Sequence, residues 1–378
     1  MSHIVLGLAV AALLFSSEKM RLPPIKLPLG LFVLGTVISW LASGHIHEGI
    51  PQIRKFFVFL TLLLVYSTFQ KISEIRIVAL LWAAVATLSG VRSLFQFGQK
   101  YADWQEHGSF YDFYIGQRIT GFTSHWMTFG GEGMIVLLFL LALLFFSTER
   151  RWKAAGWFCA AVLGVSLVLG MTRSIFLLGF PIGLLYLLWF WHKWLVAAAP
   201  VVAVLAFLVA PPVLKERVTS IITPHGTTDS NLHRSITRRA GLEMIRAHPW
   251  LGVGPEVMKD RARFETYVPA DIARPLPEGW YGHLHNIYLQ YAAERGIPTM
   301  LALMWMIGQI LWDFAKALRA KLTNAEARFV LHGAMAVILA ILAEGFLEYN
   351  LGDSEVLTLF LAVVGFGYIA KEKVKVGI

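Results

Sequence analysis

Apolar residues in this chain come in blocks, each near the length that a bilayer requires. A membrane-spanning helix needs roughly 17–25 mostly apolar residues. Blocks of this kind fall at 4–16, 27–43, 56–70, 77–95, 129–147, 154–171, 175–191, 194–212, 297–314, 329–349 and 355–370, the first being short. The pattern predicts an all-α polytopic membrane protein of about 11–12 transmembrane helices. Between the blocks, two polar stretches are too long to be mere turns: 97–125 and 213–284. The expected organisation is an N-terminal bundle over 1–212, an arginine-rich loop over 213–284, and a C-terminal bundle of three spans over 285–378.

Composition supports this. Hydrophobic residues make up 57% of the chain and charged ones 15%, against roughly 45–50% and about 25% in a soluble domain. The N-terminal MSHIVLGLAVAALLFSSEKMR has no basic n-region and no A-x-A-like site, so it is expected to be a span and not a cleaved signal. The single cysteine, Cys159, lies in an apolar run, so no intramolecular disulfide can form.

The net charge is +9, and its placement sets an orientation. One set of short loops carries Lys19, Arg21 and Lys26; Lys71 and Arg76; Arg150, Arg151 and Lys153; Lys193; Lys316, Arg319, Lys321 and Arg328; and Lys371, Lys373 and Lys375. The alternate set carries only Arg54, Lys55, Lys100, Arg118 and Arg173. Cytoplasmic loops collect Lys and Arg, and long segments cross regardless of charge. The expectation is a cytoplasmic C-terminus, with 97–125 and 213–284 on the outer face.

Chemistry is therefore sought in the outer segments. Asp229, Ser230 and Asn231 suit the start of a helix that runs through LHRSITRRAGLEMIRA and ends at His248–Pro249, with Gly252, Gly254 and Pro255 turning the chain. Arg234 and Arg238 are four apart and share a face. Arg234, Arg238, Arg239, Arg246, Arg261, Arg263 and Arg274 crowd one loop, and a guanidinium fork matches phosphate oxygens. Arg173, in GMTRSIF, stands at a predicted membrane boundary, where a charge is costly unless paired or wet. Arg118 and His125 precede the span at 129. His283, His285 and Asn286 stand where the long loop meets the span at 297; histidine can act as a base near neutrality. Glu348 and Asp353 lie near the outer boundary and could orient an arginine or a histidine. No zinc site is expected, since the two histidines are two apart and no nearby Cys or HExxH-type helix adds ligands. There is no DxD pair in an outer loop, Walker A sequence, GxGxxG after a strand or GxSxG, so neither a metal-held sugar nucleotide nor nucleotide hydrolysis is indicated.

Three stretches fit one pattern. MTRS at 171–174, HRSITRRAGLEMIRAHPWLGVGP at 233–255 and HNIYLQYAAERGIPTMLALM at 285–304 resemble, in order and spacing, the signatures of the O-antigen ligase and polymerase superfamily. RITGFTSHW at 118–126 resembles a weaker upstream segment. Two departures are the arginine at 238, where the family often has an aromatic, and one fewer N-terminal span.

The resemblance implies a fold similar to C-type glycosyltransferases, with a large helical periplasmic loop, in the bacterial inner membrane. It implies metal-independent, inverting transfer of a glycan from undecaprenyl-pyrophosphate to a lipid A-core sugar hydroxyl, as in lipopolysaccharide biosynthesis. Arg173 and Arg234 match the family's pyrophosphate-binding arginines and His285 its essential histidine, with Arg261 or Arg263 as a further arginine. Arg118, Arg238, His283, Asn286 and Glu348 complete the expected substrate-binding set. No cofactor and no nucleic-acid partner is expected; the partners are the lipid-linked glycan donor, a lipid A-core or glycan acceptor, and membrane lipids. A polymerase would use the same donor. A transporter or flippase of lipid-linked sugars is the reading from another class, although such proteins pair symmetric halves with broken spans near the midplane, whereas here the polar groups gather at one face.

Overall fold

In the computed structural model, the described residues are 2–15, 20–104, 108–226, 229–277, 279, 281–320 and 324–373. Lys19, Lys321 and Lys375, three of the charges that set the orientation, lie outside them. The described residues are helical or irregular, with no strand. Among the described residues, seven helices are long and apolar enough to cross a membrane: Ile46–Thr68, Ile72–Asp103, Trp126–Phe146, Ser174–His192, Ile287–Arg319, Ala327–Glu344 and Ser354–Lys371. Lys26–Ala42, Lys153–Leu169 and Trp194–Val209 are apolar but shorter, and Ser2–Leu14 is shorter still. Each of the eleven apolar blocks thus coincides with a helix of a polytopic all-α membrane protein.

The chain forms two compact units, each assembled from separate stretches. The first comprises Met1–Thr68, Ser230–Asp313 and Gly345–Gly365; the second comprises Phe69–Asp229, Phe314–Glu344 and Phe366–Ile378.

In the second unit, Trp126–Phe146 and Ala327–Glu344 form the centre. Met134 to Leu144 is buried without interruption, as expected of a helix that is apolar on every side. Polar groups tie one end of this unit: Arg76 pairs with Glu326 at 3.6 Å and also with Glu149, while Glu326 accepts from Ser147 Oγ and Thr148 N.

In the first unit, the helix Ile287–Arg319 is broken at Gly296, whose φ of +81° no ordinary helical residue adopts. The turn after His248 fills the break. Val253 N–H donates to Ala293 O at 2.8 Å, Gly254 N–H to Glu294 O at 3.0 Å, and Ile297 N–H to Pro249 O at 2.8 Å. Backbone groups orphaned by the break are thereby satisfied. A Cβ at Gly296 would stand 2.0 Å from the Trp250 carbonyl oxygen, and one at Gly252 2.3 Å from the Glu294 carbonyl carbon. Two glycines at the contact are what permit it. Pro298 begins the second half of the helix, where a missing N–H costs least.

The helix Asn231–Ala247 buries Ile236, Ala240 and Met244, one stripe at helical spacing, against Phe264, Tyr281, Leu284 and Ala293. Its start corrects one expectation. Ser230 occupies the cap position without a side-chain bond, and Asp229 is not a cap, because its carboxylate is drawn into an ion pair described below.

Candidate active site

Histidine and carboxylate meet in the first unit, on the loops at either end of two helices. His285 stands just before Ile287–Arg319 with φ +50°, a left-handed conformation that is costly for a residue with a Cβ and persists only where its surroundings enforce it. Those surroundings are explicit. Leu284 N–H donates to Gln290 Oε1 at 2.7 Å, His285 N–H to His283 Nδ1 at 3.2 Å, and Ile287 N–H to Gly345 O at 2.8 Å. Asn286 donates through Nδ2 to Phe346 O and accepts from Leu289 N–H, each at 2.9 Å. Asn286, expected at the substrate, has both ends of its amide engaged by the fold.

Glu348 faces this turn with its side chain 7% exposed. It can only accept, so His285 Nδ1, 3.1 and 3.2 Å from its two oxygens, carries the proton. Nε2 of a neutral His285 then keeps a lone pair. Arg234 completes the group, donating through Nη2 to Glu348 Oε2 at 3.0 Å and through Nη1 to Leu347 O at 2.6 Å. Burial pushes the Glu348 carboxyl up, but His285 and Arg234 outweigh it and hold the group well below the usual carboxylate range. His283 already accepts on Nδ1, so its own proton lies on Nε2, 3.8 Å from Glu348 Oε1. Burial first, then His285, push the His283 imidazole down to about 3.

His283, His285 and Glu348 each offer one donor atom, all within 4.8 Å of one another, a set able to hold a metal ion. The third ligand, 63 residues from His285, is invisible to a search by spacing. Arg234 binds the same carboxylate, however, and its guanidinium stands where the charge of a metal would be repelled.

Around this centre the remaining loop arginines diverge. The Arg261 guanidinium lies over Tyr281 at 4.1 Å; Tyr281 abuts His233 at 4.2 Å, and His233 meets His285 edge-on at 5.4 Å. Arg263 instead turns to Glu48 at 3.5 Å and Asp260 at 3.3 Å. Arg238 is exposed, so sharing a face with Arg234 does not bring it to the carboxylate. Arg239 pairs with Asp271.

The second unit builds a different group around Arg173. This residue directly precedes a stretch of π-helix, Ser174–Gly179, a form often found at functional positions. Met171, two residues earlier, has φ +47°. Arg217 donates through Nε to Met171 O at 2.9 Å and through Nη1 to Asp229 Oδ1 at 2.7 Å. Asp229 also accepts from Tyr111 OH at 2.7 Å and from His225 N–H at 2.9 Å. Burial raises the Asp229 carboxyl, yet the His225 N–H, Tyr111, Arg217 and Arg173 together hold it below its ordinary value. Arg173 donates through Nη1 to Ser220 O and Oγ, both at 3.1 Å, and stands 4.0 Å from Asp229. Arg118 donates to Ile115 O and lies over Trp126 at 4.4 Å.

Residues 158–304 match the model of the family described as O-antigen ligase. Over these residues the chain is similar to that family. The resemblance to the O-antigen ligase and polymerase superfamily drawn from MTRS, HRS and HN therefore holds. No relative is found among curated proteins.

The ligase-domain match takes in Arg173, Arg234 and His285, while Arg118 and Glu348 fall outside it. Among the described residues, only Met171, Glu256 and His285 are non-glycine residues with positive φ, and all three lie within the matched residues. Sequence reasoning missed Tyr111, Arg217, Ser220, His233 and Gln290, and assigned Asp229 to capping. Arg217 had a signal, being the one arginine in a short apolar-faced stretch, PVLKERVT, that follows directly on a span. Gln290 had none, because a glutamine on a helix carries no mark of what it will hold.

Proposed function

We propose that this protein transfers a glycan from a lipid diphosphate, undecaprenyl-pyrophosphate, to a sugar hydroxyl of a lipid A-core acceptor, on the periplasmic side of the bacterial inner membrane. The observation that carries the reading is Glu348 holding His285 through Nδ1 and Arg234 through Nη2, both of them inside the stretch that matches the O-antigen ligase family. The acceptor hydroxyl loses its proton to His285 Nε2, its oxygen attacks the anomeric carbon, and the sugar–phosphate bond breaks with inversion. Glu348 fixes the tautomer and stabilises the imidazolium as it forms, the role a buried carboxylate plays behind a catalytic histidine. The diphosphate leaves as an anion. Arg234 stabilises that charge, the work a divalent cation does in other transferases; Arg173 is the other arginine that the resemblance implies. Arg261, joined to His285 through Tyr281 and His233, is favoured over Arg263 as the further arginine. His283, held neutral, adds no positive charge beside the base.

The test is reconstitution. Protein in liposomes is given the lipid-diphosphate glycan with, in separate reactions, a lipid A-core acceptor or no acceptor. Product on the lipid A-core alone supports ligation; chain growth without it indicates a polymerase; movement of intact donor across the bilayer with no new bond indicates a flippase.

A further inference from the structure

The turn that plugs the broken helix carries two large apolar side chains facing outward. Trp250 is 74% exposed and Leu251 41% exposed, although both lie in a loop whose backbone is locked against Gly296 and Ile297. In a soluble loop such a pair has no reason to be there, and a contiguous exposed apolar patch marks a contact.

The place of the turn along the helix says which contact. The helix ends in Lys316 and Arg319. From Ile297 to Lys316 is 20 residues, about 30 Å at 1.5 Å per residue, the thickness of a hydrocarbon core. Gly296 therefore stands at the opposite boundary, and the Trp250 carbonyl sits directly upon it. Ile297, Leu301, Trp305 and Trp312 form the exposed stripe of the same helix, at helical spacing. Trp250 and Leu251, whose backbone lies against Gly296, stand next to the start of that stripe. Tryptophan is the residue enriched at this depth, where its ring is apolar and its N–H can meet water.

We propose that Trp250 and Leu251 form a wedge seated in the headgroup–acyl boundary of the bilayer, anchoring the loop that carries Arg234 at the membrane surface. The occupant of this face is lipid, and the inference stands whatever glycan or acceptor the protein uses.

Spin labels read depth directly. In a Cys159→Ser background reconstituted in liposomes, labels are placed at Trp250→Cys, at Leu251→Cys (which keeps Trp250), at Leu301→Cys as the in-bilayer reference and at Asp271→Cys as the water reference. The expected result is that oxygen relaxes the labels at 250 and 251 more than a water-soluble nickel chelate does, with values between those of the two references. Nickel dominating at 250 and 251, as at 271, overturns the proposal. Dipolar broadening between labels at 250 or 251 on different chains overturns it in favour of a second copy. If Trp250→Cys does not fold, the label at 251 decides alone.

Discussion

His285 Nδ1 lies 3.1 Å from Glu348 Oε1, and the same carboxylate receives Arg234 Nη2 at 3.0 Å. One buried acid thus sets both the tautomer of the histidine and the position of the arginine. Glu348→Gln keeps the shape but removes the charge, and its amide can donate to His285 as readily as accept. We expect transfer to fall at least about a hundredfold, the lower end of what general-base help supplies, with donor binding much less affected. Single-turnover rates at saturating donor, measured alongside donor affinity, check this.

Acid should weaken the fold through the same group. His283 titrates near 3 when folded against 6.5 when free, so the unfolded chain binds the extra proton first. Its contribution is intact above pH 6.5 and declines as the pH falls from 6.5 toward 3. Glu348, lowered from 4.5, adds a second loss that begins below about pH 4.5. His283→Asn should flatten the upper part of this decline. Thermal unfolding in detergent from pH 8 to pH 4, with and without the substitution, makes the comparison.

The break at Gly296 should tolerate no side chain. An alanine there would adopt a left-handed backbone costing about 1–3 kcal/mol and would place Cβ 2.0 Å from the Trp250 oxygen. Gly296→Ala should lower the unfolding temperature far more than Gly308→Ala in the same helix, where nothing lies within 4 Å. Equal shifts would refute the packing described.

The Arg217–Asp229 pair should matter more than any ion pair on the loop surface. Asp229 is fully buried on its side chain, and removing one partner of a buried pair costs on the order of 3–5 kcal/mol. Arg217→Ala should therefore destabilise strongly and disturb the MTRS turn, since Met171 O loses its donor as well. A double-mutant cycle with Asp229→Ala should give less than the sum of the two single effects. Additive effects would mean the two groups act independently.

The spans were legible because a bilayer imposes one length and one composition on every crossing helix. Arg234 and His285 could be singled out because their spacing along the chain resembles that of a known family, and both meet Glu348; Arg173, singled out in the same way, stands instead by Ser220 and Asp229. What was not legible follows from distance in sequence. Glu348 and Asp353 were both visible as able to orient an arginine or a histidine, but Glu348 meets His285 across 63 residues, and nothing in EYNLGDSE chooses between the two acids until the loops are brought together. Asp229 looked like a helix cap because Asp before a helix usually is one; Arg217, 12 residues upstream, offered a stronger charge partner. The glycine and proline of HPWLGVGP were visible as a turn, but that the turn fills a broken helix depends on Gly296, 42 residues beyond Gly254.

In the proposed reaction His285, oriented by Glu348, takes the acceptor proton while arginine receives the departing diphosphate. The most direct measurement is the transfer rate of reconstituted His285→Ala and Arg234→Ala variants with lipid-diphosphate glycan and acceptor, each normalised to folded protein. Losses of about a hundredfold or more are expected in both, with His285→Ala still retaining donor and Arg234→Ala binding it more weakly. Turnover near that of the unsubstituted protein in either variant would contradict the proposed reaction.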